Sequence, residues 1–303
     1  MRIAFFWFGM DGRYGQWQDG LYAAMKELEK DNDVRYFDVT PETIAQVEEW
    51  QPDWVLFWEA PCTSKGKDAD MWFSVCRLPF KKALLFAGGP LKAMDVEPFN
   101  LVFVESEVNA EECERQGIPH RTAFGTNTNI FKPLHNIPRR YDAFMQATFA
   151  AWKRHELFAD AMGDKGAVAG RKQEFDRNGY DRCVKRGVHI YEELKPQEIA
   201  EMINASDVVL NTSDVQGGGQ RCTLEGMACG KPVIVMADSP KNCEFVRKYD
   251  CGIICDPTVE DIRKAVSHAK NHYSLGNNGL KAVHEHLSEK HYAEVIMDGL
   301  ESL

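Results

Sequence analysis

Three consecutive glycines, Gly217, Gly218 and Gly219, stand before Gln220, Arg221, Cys222 and Thr223, and the short apolar stretch that follows carries one carboxylate, Glu225. The run GGGQRCTLEGMACGKPVIV then closes on Gly230, Lys231, Pro232 and a β-branched segment. That order reads as a flexible turn, a short helix and a buried strand. Glycines let the backbone come close to a ligand, and the start of a helix adds free N–H groups and the positive end of its dipole. Such donors suit a diphosphate. Glu225, just inside the helix, is placed to accept hydrogen bonds from a diol, so the stretch describes a pocket for a sugar nucleotide. Taken alone, the same residues are also served by a tight loop with a solvated glutamate.

The elements around this stretch must put the turn at the end of a strand. DVVLNTS reads as that strand, and the loop SDVQGGGQ leads from it into the helix. The first half of the chain repeats one scheme: RIAFFWFG, DVRYFDV, DWVLFWEA, KALLFAGG and NLVFVES are short runs apolar on both faces, with helical spacing in WQDGLYAAMKELEK, TPETIAQVEEW and EVNAEECERQG. Strands apolar on both faces and alternating with helices predict a parallel sheet covered on each side. After GTNTNIFKPLHNIPRR, a Gly-, Asn- and Pro-containing candidate linker, the alternation restarts with YDAFMQATF, GAVAGR, GVHIY, DVVLNTS, KPVIVM and CGIIC. Residues 172–186 read as a polar excursion, and the tail from Leu280 to Leu303 reads as helix.

The fold class is therefore α/β, two Rossmann-like domains facing a central cleft, where open parallel sheets bind ligands at the carboxyl ends of their strands. The expected division is a first domain over 1–134, a second over 135–285 that carries the sugar-nucleotide pocket, and a C-terminal helix over 286–303 open to packing back on the first domain.

Composition narrows the partners. The chain has 303 residues, more than one core usually fills, with 44% hydrophobic and 27% charged residues. A formal net charge of -10 argues against a broad footprint on nucleic acid or an anionic membrane, since that affinity comes from clustered Lys and Arg. The nine cysteines show no paired Cys-x-x-Cys spacing, so neither a disulfide framework nor a zinc site is indicated, and a reducing cytoplasm is expected. No stretch reaches the ~18 to 20 apolar residues of a membrane span.

The motifs in their order resemble the retaining glycosyltransferases of the GT-B fold, family 4 or group 1 type. GGGQRCTLEGMACGKPVI follows their EGGPRVLLEAMAxGxPVI-like hallmark, GTNTNIFKP is similar to their GVDTxxFxP linker, INASDVVLNTS to their strand before the hallmark, and NCEFVRKYDCGIICDP to the segment after it. The resemblance covers Gly125 to about Ala265; residues 1–124 match in pattern only. It implies that Glu225 holds the nucleotide ribose and that Lys153, in ATFAAWKRHELF, grips the diphosphate. The family's first glutamate falls on Gly217, and the Arg partner of the lysine falls on Thr148, with Arg154 as the nearest substitute. Gly217, Gly218, Gly219, Gln220, Arg221, Cys222 and Thr223 would complete the donor side.

In the first domain, the glycine-rich loop after the first strand, GMDGRYGQWQDG, offers Gly9 and Gly12 for close approach to the donor. Asp11, Arg13, Tyr14 and the strand-end Glu59 are candidates for the acceptor or sugar side. His120, His155 and His189 read as structural. The expected reaction moves a sugar from a UDP- or GDP-sugar to an acceptor hydroxyl of a glycan, a lipid, a small molecule or a modified DNA base, with retention. Neither a metal nor another cofactor is implied. A sugar-nucleotide-binding protein with weak catalysis, and an enzyme acting on hydroxylated DNA bases, are the alternatives.

Overall fold

A computed structural model describes residues 1–6, 19–38, 40–58, 74, 77–86, 98–171, 177–192, 194–214 and 220–303. The chain divides into two compact units, one formed by Met1–Phe124 with Glu289–Leu303, the other by Gly125–Ser288.

The first unit is a six-stranded parallel sheet. Its strands are β1 (Arg2–Phe6), β2 (Asp33–Phe37), β3 (Trp54–Trp58), β4 (Lys81–Phe86), β5 (Leu101–Val104) and β6 (His120–Thr122), in the order β2-β1-β3-β4-β5-β6. Alternate residues of each strand point to opposite faces, and both faces are apolar here. Ile3, Phe5, Trp54, Leu56, Ala83, Leu85, Leu101 and Phe103 pack under α1 (Gly20–Leu28) and the C-terminal helix α11 (Glu289–Glu301), which contribute Ala24, Met25, Tyr292 and Ile296. Their neighbours Ala4, Phe6, Val55, Phe57, Leu84, Phe86, Val102 and Val104 pack with Val47 of α2 (Pro41–Trp50) and Cys113 of α3 (Glu107–Gln116). The helices begin and end where side chains or glycine permit. Thr40 and Thr43 form a capping box at the start of α2, and Gly117 ends α3 at φ 68°.

The second unit is also a six-stranded parallel sheet, with β7 (Tyr141–Gln146), β8 (Gly166–Ala169), β9 (His189–Tyr191), β10 (Ser206–Asn211), β11 (Val233–Met236) and β12 (Gly252–Cys255) ordered β12-β11-β10-β7-β8-β9. The strand order reverses between β7 and β10. One face carries Ala143, Met145, Val168, Val208, Leu210, Ile234 and Met236 under α4 (His155–Met162), α5 (Arg177–Arg186) and α9 (Val259–Ala269). The others are α6 (Pro196–Asn204), α7 (Gln220–Ala228), α8 (Pro240–Tyr249) and α10 (Tyr273–His286). Helix α7 lies against β10 and β11, so closely that a methyl group on Gly226 would meet Val209 Cγ2 at 2.8 Å.

Four features differ from the sequence reading, each for a physical reason, the first being β6, whose residues His120–Thr122 carry no apolar run. The polar excursion contains the helix α5, which turns Cys183 and Gly179 inward while Arg182 and Arg186 bind the Asp160 carboxylate of α4 at 2.7 and 2.6 Å. Its charge hid its helical period. The tail is two helices, because the backbone opens at Leu287 and Ser288 to bridge Thr126, whose N–H donates to Leu287 O at 2.9 Å. The candidate linker belongs to the second unit from Gly125 on. Phe131 in it is buried, and the Asn204 side chain accepts from Leu134 N at 2.9 Å and donates to Lys132 O at 3.0 Å.

Candidate active site

Strand order reverses between β7 and β10, and the carboxyl ends at such a reversal are the place where open α/β sheets take ligands. Four chain segments converge there: the loop after β7, the strand end Asn211–Asp214, the turn after β11 and the first turn of α7. Thr212 Oγ1 donates to Lys153 O at 2.7 Å, Asp214 N donates to Trp152 O at 3.0 Å, and Ser239 Oγ donates to Asp214 O at 3.4 Å.

Lys153 ends a turn of 3-10 helix, Ala151–Lys153, and its N–H donates to Ala150 O at 2.8 Å. Its ammonium is half-buried within electrostatic reach of Cys222, Asp214 and Arg221. Burial holds its pKa below the usual lysine range, an effect that the nearby Cys222 and Asp214 oppose. A bound anion would reverse that shift.

On α7, Arg221 is exposed, Cys222 and Thr223 are buried, and Glu225 is 2% exposed. Cys222, Glu225 and Cys229 share one face of the helix through their spacing of three and four residues. Burial pushes the Cys222 thiol up to about 12, with the Glu225 carboxylate adding to the shift. This thiol packs against the Gln146 backbone at the end of β7. The helix is closed by a Schellman motif, in which Lys231 N donates to Gly226 O at 3.0 Å and Gly230 N to Met227 O at 2.9 Å, with Gly230 at φ 69°. A fixed end and a sheet-packed face together orient the first-turn N–H groups, which have no partner inside the helix.

The Thr223 side chain turns into the frame of the site. It is fully buried, and its hydroxyl donates to Asn242 Oδ1 at 3.0 Å while accepting from Asn211 Nδ2 at 3.3 Å. Asn211 Nδ2 also donates to Asn242 Oδ1 at 3.0 Å, Asn242 Nδ2 donates to Ser239 Oγ at 2.9 Å, and Asn211 Oδ1 accepts from Ser213 N at 3.1 Å. This buried network bolts α7 to β10 and α8. Composition and spacing gave no sign of Asn242 and Ser239, since partners from different elements are not paired by local pattern. Replacing Asn242 by Ala should strand two buried groups, lowering stability by about 2 to 3 kcal/mol. Calorimetry should show the loss; an unchanged midpoint would mean the network is not holding the helix.

Arg154, read from the sequence as the nearest substitute for the missing arginine, is engaged within the chain. Its Nη1 and Nη2 donate to Asp238 Oδ2 and Oδ1, both at 2.8 Å, and its Nε donates to Thr212 O at 2.6 Å. The guanidinium beside Asp238 holds that carboxyl below the usual range. Thr148 is half-buried on the same loop, which runs close to β8: a methyl group on Gly170 would stand 1.8 Å from Ala147 O. His155 is buried, stacks on Phe149 at 4.1 Å and is pushed down to about 4 by burial, a neutral core residue. Gly9, Asp11, Gly12, Arg13, Tyr14, Glu59, Gly217, Gly218 and Gly219 lie outside the described residues, and Gln220 is described only as the first residue of α7.

The sequence profile of the family described as Glycosyl transferases group 1 matches residues 129–281, half of the chain and all four converging segments. The chain belongs to this family. No curated protein matches this group 1 glycosyltransferase. Among solved structures, it is similar to Alr3699/HepE from Anabaena in complex with UDP and glucose, at TM-score 0.74 and 15% identity over 100% of both chains. It is similar to sucrose-phosphate synthase from Thermosynechococcus elongatus at TM-score 0.73 and 14% identity, covering 100% of this chain and 98% of that one. A glycosyltransferase from Rickettsia africae ESF-5 follows at TM-score 0.71 and 14% identity over 99% and 98% of the two chains. At such identities the likeness is one of fold, two parallel α/β sheets of the GT-B class. Among the described residues of this glycosyltransferase, no helix is long and apolar enough to cross a membrane.

Proposed function

We propose that this group 1 glycosyltransferase transfers a sugar from a uridine- or guanosine-diphosphate sugar to an acceptor hydroxyl, with retention at the anomeric carbon, as a cytoplasmic family 4 enzyme that needs no metal. What supports the reading is that Lys153, on the loop after β7, lies within electrostatic reach of Arg221 and Cys222 in the first turn of α7, with Glu225 next to Cys222 on the same helix. A UDP donor is favoured because HepE, which shares the fold, binds UDP and UDP-glucose.

The residues divide the work. Glu225 holds the ribose hydroxyls, and Lys153 with the α7 amides holds the diphosphate. As the bond from the anomeric carbon to the phosphate oxygen breaks, charge grows on the diphosphate, where a fixed ammonium and helix-terminal N–H groups stabilise it. The acceptor oxygen bonds to the anomeric carbon on the face that the diphosphate leaves, and the acceptor proton passes to a donor phosphate oxygen. No protein carboxylate has to act as nucleophile. The chain's part is positioning and charge stabilisation.

A thermal-shift panel of nucleotides and nucleotide sugars tests the binding half. Ligand at ~100 times its dissociation constant should stabilise the protein by roughly 2.7 kcal/mol. One of UDP, GDP and their sugars should raise the midpoint by several degrees, while free sugars should not. No shift with any nucleotide would sink the proposal. For the catalytic half, the anomeric configuration of the product, read by NMR, should match that of the donor.

A further inference from the structure

The turn that carries Lys153 is fixed by a closed ring of contacts with no need of a ligand. Thr212, buried at the end of β10, donates its hydroxyl to Lys153 O at 2.7 Å and to Arg154 O at 3.2 Å, and its own carbonyl accepts from Arg154 Nε at 2.6 Å. The same guanidinium then reaches the turn after β11 and grips both oxygens of Asp238 at 2.8 Å. Arg154 itself stands in the left-handed region, φ 52° and ψ 51°, which a non-glycine side chain adopts only where its surroundings hold it. Only a planar fork can satisfy the strand carbonyl and the carboxylate together, a task that lysine would not perform.

We propose that Asp238 is a positioning residue: through Arg154 it sets the turn on which Lys153 stands, so that the ammonium meets a diphosphate without rearrangement. The inference rests on the reading of Lys153 as the cation of the diphosphate. It also assigns Arg154 to the frame of the site and leaves the missing arginine at Thr148 unreplaced. Stability is a weak motive for the pair, because the Asp238 side chain is 47% exposed and pairs at the surface contribute little to folding. Orientation is what a two-point grip adds.

The test is a double-mutant cycle on the full chain, titrated by calorimetry with whichever of UDP and GDP binds the unmodified protein more tightly. Asp238→Asn should weaken diphosphate binding about tenfold, with a smaller effect on the corresponding monophosphate. Asp238→Glu, which keeps a carboxylate for Arg154, should recover most of the loss. In a Lys153→Ala background, Asp238→Asn should add almost nothing, since both changes act through one ammonium. Additive losses would overturn the inference, as would an unchanged affinity. Tighter binding in Asp238→Asn would also overturn it, because it would mean that a freed Arg154 grips phosphate directly. If Lys153→Ala alone leaves affinity intact, the reading of Lys153 fails and the inference with it. If Lys153→Ala weakens binding and Asp238→Asn does not, only the inference fails.

Discussion

Lys153→Ala should lower turnover about 100- to 1,000-fold, the effect of removing one fixed group that meets charge developing in a transition state. The loss should fall on kcat and kcat/KM together, because the leaving diphosphate is more negative than the bound donor. The ammonium is half-buried, and burial lowers its pKa. The charged form is the useful one and is lost as pH rises, so the alkaline limb of kcat/KM should lie below that of an ordinary lysine. In Lys153→Arg that limb should move to higher pH, since arginine stays protonated. An alkaline limb unmoved by this replacement, with activity retained, would assign the titration to another group.

The second large effect belongs to Glu225. Glu225→Ala removes a buried carboxylate read as accepting from the ribose diol, and hydrogen bonds to a charged group contribute about 1.5 to 3 kcal/mol each. Nucleotide affinity should fall roughly 10- to 100-fold, and the thermal shift with the preferred nucleotide should nearly vanish. The decisive control is the 2′,3′-dideoxy nucleotide, which lacks the diol. It should bind the unmodified chain and Glu225→Ala with similar weak affinity. If Glu225→Ala weakens both ligands equally, the carboxylate is supporting α7 and not touching the sugar.

Much of the fold was legible before any coordinates. The alternation of Ile3 with Ala4, or Leu84 with Leu85, is apolar in both registers, and a strand with two apolar faces has no stable place except between layers of helices. Gly117 and Gly230 marked helix ends, and both have positive φ. The helix of residues 177–186 was not legible, because its inward face offers only Cys183, Gly179 and part of Tyr180 among charged neighbours. The break between α10 and α11 has no local signal, because it depends on Thr126, far away in the chain.

At the site the same divide recurs. The sequence points to Lys153, Arg221, Cys222 and Glu225, and in the fold Lys153 lies within electrostatic reach of Arg221 and Cys222, and Cys222 of Glu225. The side chains of Thr223 and Arg154, which the sequence places on the donor side, are engaged with Asn242, Asn211, Asp238 and Thr212. Each of those partners comes from a strand or turn remote in sequence from the residue it holds.

The amino-acid order by itself determined every described strand but β6, most helices and the glycine-flanked helix with its single carboxylate. These follow from side-chain period, capping and backbone permission, all of which act over a few residues. Only the tertiary structure decided which polar side chains bind one another to hold the frame. That choice depends on strand order: with β10 beside β7 and β11 on the far side of β10, Thr212 and Asp238 come within reach of Arg154 and accept from its donors. A buried polar group takes the partner that the sheet brings to it, and no local pattern in the chain records which partner that will be.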